Sequence, residues 1–98
     1  YVLAFNRPAI EERLTRAAAY LGIKGGYEGF AEAVLKLRKQ LNVPHTLPDL
    51  IKGLEMDEKR KAMIAEMAVA DPSTGSNPVE LTKKAALEIL ENSIVGTV

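Results

Sequence analysis

Apolar residues recur along this chain at spacings of three and four, the signature of amphipathic helices. Ile10, Leu14, Ala17, Ala18 and Leu21 make one such stripe. Pro8 belongs in the first turn of that helix, with Asn6 or Arg7 at its boundary and Gly22 as its stop. Gly25-Gly26 marks a turn, and Phe30, Val34, Leu37 and Leu41 predict a second helix from about Tyr27 to Leu41. Asn42-Val43-Pro44 ends it, and Thr46 caps a short turn through Pro48, Asp49, Leu50 and Ile51, closed by Gly53. Asp57 caps a fourth helix with Met63, Ile64, Met67 and Ala68 on its buried side, broken at Asp71-Pro72. Thr82 caps the last, where Leu87, Leu90 and Ile94 repeat beside Ile89 and Gly96 terminates. No segment alternates with the period of two that a strand requires. The pattern predicts an all-α fold, a small bundle of about five helices formed by residues 1–98 as a single helical segment.

Composition changes this picture in one respect. Apolar residues make up 47% of the 98 positions but aromatics only 5%, and much of the apolar share is alanine. Alanine favours helix yet buries little surface, so the core should be shallow. The direct apolar entry, Tyr1-Val2-Leu3-Ala4-Phe5 without an initiating methionine, predicts that Tyr1 is an internal position of a longer polypeptide. Apolar surface near Tyr1–Phe5 and on the second or fourth helix should then be open to self-association or to a missing N-terminal part.

Thirteen basic residues balance thirteen acidic ones. That removes any net electrostatic pull toward nucleic acid or anionic lipid, and no apolar run reaches bilayer-spanning length. The absence of cysteine removes disulfide and thiolate chemistry and fits a cytoplasmic setting.

Individual chemistries fare poorly. His45 is the sole histidine and has no carboxylate before Asp49, so it reads as a turn residue. A metal site needs three or more converging ligands, which one histidine and scattered carboxylates do not supply. A triad of His45, Ser73 and Asp49, Asp57 or Asp71 lacks the strand-to-helix elbow of such nucleophiles. Glu11-Glu12, Glu55 with Asp57-Glu58, and Glu88 with Glu91 lie among lysines and arginines as solvated faces. The glycines at 22, 25, 26 and 29 follow a helix and precede no Gly-Lys-Ser/Thr, unlike a phosphate cradle. Lys59-Arg60-Lys61 has no interleaved aromatic for stacking bases. No catalytic, metal-binding or cofactor-binding residue is assigned. The stretch Asp71-Pro72-Ser73-Thr74-Gly75-Ser76-Asn77-Pro78 differs: its small, hydroxylated residues let backbone approach a ligand or a neighbouring domain, or merely connect two helices.

Three segments, in order, resemble the iron-type (metal-dependent) alcohol dehydrogenases. They are Phe5-Asn6-Arg7-Pro8-Ala9 with Leu21-Gly22, then Leu35 through Leu47, then Met67-Ala68-Val69-Ala70-Asp71-Pro72-Ser73-Thr74-Gly75-Ser76-Asn77-Pro78 running on to Thr82. The last looks like that family's near-C-terminal Asp-x-x-Thr-x-x-Asn-Pro loop.

The resemblance implies a two-domain parent enzyme interconverting alcohols and aldehydes or ketones. An N-terminal domain would bind NAD or NADP, and a helical domain would hold iron or zinc through one aspartate and three histidines that precede the matched part. His45 corresponds to none of these ligands. By the same resemblance Ser73, Thr74 and Gly75 lie nearest the substrate cleft, and some relatives carry cysteine where Ser73 stands. The segment itself would be inactive, supplying pocket walls. The alternative from the residues alone is a free-standing helical module that binds a partner helix or peptide.

Overall fold

The computed structural model describes residues 1–98 as five α-helices and one 3₁₀ turn, with no strand. The helices are α1 (Val2–Tyr20), α2 (Gly26–Gln40), α3 (Leu47–Leu50), α4 (Glu58–Ala70) and α5 (Lys83–Val95). The 3₁₀ turn, Pro72–Ser76, lies between α4 and α5 inside the stretch read above as a loop. The all-α expectation therefore holds.

Local chemistry explains most element ends. At the end of α1 the Ile23 amide reaches the Ala18 carbonyl and the Gly22 amide the Ala19 carbonyl, with Gly22 at φ +72°. This is a Schellman closure, and it needs the left-handed residue that glycine provides. Asn42, at φ +55°, closes α2 in the same way. Thr46 and Asp49 form a reciprocal capping box on α3. Asp57 and Thr82 each accept an amide three residues on, at 2.7 and 3.2 Å, and so start α4 and α5.

One boundary departs from expectation. Helix α1 begins at Val2 and carries Pro8 inside it, in place of starting near Pro8. A proline there cannot bond the carbonyl four residues back, that of Ala4. Both Ala4 and Pro8 are exposed, so water can serve that carbonyl.

The helices pair as two antiparallel hairpins: α1 packs on α2, and α4 on α5. Little is fully buried. Ala18, Tyr27, Ala65, Ala86 and the polar Asn6 are the only residues below the surface, which makes the core shallow. Leu21, Leu37, Leu41, Met63 and Met67, placed on buried stripes by their spacing, are instead 53–65% exposed. A single partner helix covers a narrower arc than an apolar stripe of this width occupies. The chain's surface of 7133 Å² is roughly 30% above that of a compact monomer of its mass. Its radius of gyration, 15.0 Å, likewise exceeds the value of about 13 Å for a close-packed chain this long. No helix is long and apolar enough to cross a membrane.

Candidate substrate cavity between two helical hairpins

A cavity of about 500 Å³ lies where the start of α1 meets α4, the 3₁₀ turn and α5. Val2 and Phe5 line one side, and Ile64, Ala68, Ile89 and Leu90 line the others. Polar groups enter from the turn (Asp71, Ser73, Thr74 and Asn77) and from Ser93 on α5. An apolar cavity with a few convergent polar groups at one edge is the usual form of a small-molecule site. A second groove, of about 410 Å³, runs between α1 and α2 past Leu3, Tyr27, Val34 and Leu35.

The turn is organised by its own side chains. Asp71 caps it, accepting the Ser73 amide at 2.8 Å and, more closely still, the Ser73 hydroxyl. The Ser73 hydroxyl first, and its amide second, hold the Asp71 carboxyl below the ordinary aspartate value. Thr74 donates its hydroxyl to the Ala68 carbonyl at 2.6 Å, and Ser76 donates to the Ser73 carbonyl at 2.9 Å. All three hydroxyl hydrogens are therefore used within the chain. In this arrangement the hydroxyl oxygens offer a ligand lone pairs only.

Ser73 and Thr74 thus come together at the cavity edge, whereas Gly75 does not line it. A Cβ added at Gly75 would meet nothing within 4 Å, so this residue faces open space. Asn77, also part of the loop singled out above, lines the cavity, and Asn6, which does not line it, is bonded to Asn77 from α1. Asn6, 6% exposed, gives its amide hydrogen to Asn77 Oδ1 at 2.8 Å, and Asn77 returns one to Asn6 Oδ1 at 2.8 Å. Asn77 also donates to the Val79 carbonyl at 2.5 Å. The sequence signal was the asparagine in the Asn77-Pro78 pair, a turn former whose partner is 71 positions away.

The other sequence candidates lie elsewhere. His45 sits outside the cavity, its Nε2 2.9 Å from the Gly96 carbonyl while its own carbonyl accepts the Tyr1 hydroxyl. Asp49 is held in the α3 capping box and Asp57 caps α4, so neither meets His45 and Ser73 as a triad. Glu11 pairs with Arg7 and Glu12 with Arg16 on solvated surface, and the exposed Glu58 and Glu91 pair with the half-buried Lys61. No three His, Cys, Asp or Glu side chains come close enough to hold a metal ion. His45, the sole histidine, cannot by itself supply the three histidines that the resemblance calls for.

Comparison with known proteins agrees with the motifs. Residues 1–94 match the family described as "Fe-containing alcohol dehydrogenase family, C-terminal". The chain is 33% identical over 102 residues to an NADPH-dependent butanol dehydrogenase of Clostridium saccharobutylicum, a match covering 99% of this chain. It spans 26% of the length of that relative. No solved structure matches. On the profile match across almost the whole chain, and on the turn that carries its most distinctive motif, this chain belongs to the Fe-containing alcohol dehydrogenase family as a C-terminal part.

Proposed function

We propose that this chain forms part of a nicotinamide- and metal-dependent alcohol dehydrogenase, in which it walls the substrate pocket. One observation carries the reading: the family's Asp-x-x-Thr-x-x-Asn-Pro turn stands at the edge of an apolar cavity large enough for a small alcohol. By the family resemblance, the hydride acceptor and the metal would be held by other polypeptide. What this chain supplies is shape and dryness. Ile64, Ala68, Ile89 and Leu90 would pack against the carbon chain of the substrate and keep water out. Ser73 and Thr74 would lie at the polar end, accepting a hydrogen bond through their hydroxyl oxygens, and Gly75 would keep the outer side of the turn open to close approach. On this reading the segment is inactive alone and works in the cytoplasm. Its exposed apolar faces would dock on the rest of the enzyme, and self-association would cover them when that part is missing.

The test is an Ala68→Leu substitution in the intact protein, with kcat/KM measured over alcohols of increasing chain length. Filling the cavity should lower kcat/KM for the longest by about tenfold and leave the shortest nearly unchanged. Equal values for every alcohol before and after the substitution, or no alcohol oxidation at all, would sink the reading.

A further inference from the structure

The two helical hairpins are joined by few polar links, and one of them bears directly on the cavity. Every hydrogen bond that shapes the 3₁₀ turn internally runs within the turn or back to the end of α4: Ser73 to Asp71, Thr74 to Ala68, Ser76 to Ser73. None of these fixes the turn relative to α1, which supplies the facing wall through Val2 and Phe5. The Asn6–Asn77 amide pair does. Each of its two bonds is 2.8 Å long, and Asn6 is the one polar residue buried in the molecule. Asn77 is locked on its own side by the Val79 carbonyl and by its backbone amide, which reaches the Thr74 carbonyl at 3.0 Å. Two planar amides bonded in both directions resist sliding and rotation better than a single bond.

We infer that Asn6 and Asn77 are positioning residues, a latch that sets the separation of the hairpins and so the width of the cavity beside Ser73 and Thr74. The link from that width to substrate binding rests on the function proposed above; the latch itself does not. Loss of the Asn77 donor leaves the Oδ1 of buried Asn6 unpaired, and loss of Asn6 leaves half-buried Asn77 bonded only on its own side, so the seam should open locally to let water in.

The experiment uses Asn77→Asp, which keeps the side-chain shape but removes the donor, and Asn6→Ala, which breaks the same pair from α1. This chain has no cysteine, so a reporter thiol placed in it lies on a peptide that mass spectrometry distinguishes from any other thiol of the intact protein. Ala86→Cys reports on the cavity wall, where Ala86 is 7% exposed, and Ala18→Cys on the α1–α2 hairpin away from the cavity. Maleimide labelling of each reporter peptide is followed by mass spectrometry, and KM is measured for alcohol and for nicotinamide cofactor. A working latch gives labelling at position 86 about tenfold faster, with labelling at 18 changed less than about twofold. It also gives a higher alcohol KM beside an unchanged cofactor KM. Labelling that accelerates equally at both reporters would show a general brace and overturn the inference, as would no acceleration at either. Selective acceleration at 86 with an unaltered alcohol KM leaves the latch standing and sinks the assignment of this cavity to substrate.

Discussion

His45 and Gly96, 51 residues apart, are joined by a hydrogen bond from the imidazole Nε2 to the Gly96 carbonyl at 2.9 Å. A carbonyl only accepts, so Nε2 carries the hydrogen. The same histidine's carbonyl receives Tyr1 and, at 3.4 Å, Arg38, so the loop before α3 gathers the start of α1, the end of α2 and the end of α5. Gly96 is suited to its place twice over. Its φ of +90° disfavours L side chains, and an added Cβ would lie 3.1 Å from both His45 Cδ2 and Thr46 Cγ2. Gly96→Ala should therefore destabilise the protein by about 1–2 kcal/mol, with His45→Ala costing about 0.5 kcal/mol. Denaturant titration of the intact protein checks both, and an unchanged midpoint for Gly96→Ala would count against the geometry.

Two other glycines should respond in opposite senses. A Cβ at Gly29 would stand 1.8 Å from the Lys24 carbonyl oxygen, a backbone atom that cannot swing aside. Gly29→Ala must shift the start of α2 and should cost more than about 2 kcal/mol. Gly75 has open space around it and no positive φ. Gly75→Ala should be neutral or stabilise by about 0.5 kcal/mol through a less flexible unfolded chain. Thermal melts of the two variants side by side would show the contrast.

Asp71 makes stability depend on pH. The Ser73 hydroxyl and amide lower its carboxyl below the usual aspartate value, so the folded state prefers the carboxylate more than the unfolded state does. The resulting stabilisation is fully present above the ordinary aspartate range and fades as pH falls through the lowered folded value. Asp71→Asn should remove this acid-side loss, and Ser73→Ala, which deletes the larger cause, should move the carboxyl back toward its ordinary value. Carbon-13 titration of the Asp71 carboxyl reads the shift directly, and a carboxyl that stays put or moves lower still in Ser73→Ala would contradict the hydrogen bonding described.

Tyr27 fastens α2 to the start of α1. It is 5% exposed, its hydroxyl donates to the Leu3 carbonyl at 3.1 Å, and the Arg7 guanidinium lies 4.4 Å from its ring centre. Tyr27→Phe keeps the ring contacts and loses only the hydroxyl bond. It should cost about 1 kcal/mol in chemical denaturation.

Met63 and Met67 stand one turn apart on α4 and are 54% and 65% exposed. If the rest of the enzyme covers this face, Met67→Glu in the intact protein buries an unpaired charge and should destabilise it by about 2 kcal/mol or more. A change within about 0.5 kcal/mol, as at an ordinary surface position, would mean that the face is free.

Much of this molecule was legible in one dimension because it depends on neighbours in sequence. Asp57, Thr46 and Thr82 are caps wherever a helix follows them, and Gly22 and Asn42 close helices because they tolerate a left-handed backbone. The helical period, the number of elements and the unusual turn at Asp71–Pro78 followed from such local rules, and the ordered motifs pointed to the family. Tertiary structure decided what local rules leave open. It extended α1 back through Pro8 because the orphaned Ala4 carbonyl could face water, and it left Leu37, Leu41, Met63 and Met67 in the open because one partner helix shields only part of a stripe. It also joined Asn6 to Asn77 and His45 to Gly96. Neither pairing has a signature in sequence, since a hydrogen bond across such distances depends on where the hairpins come to rest.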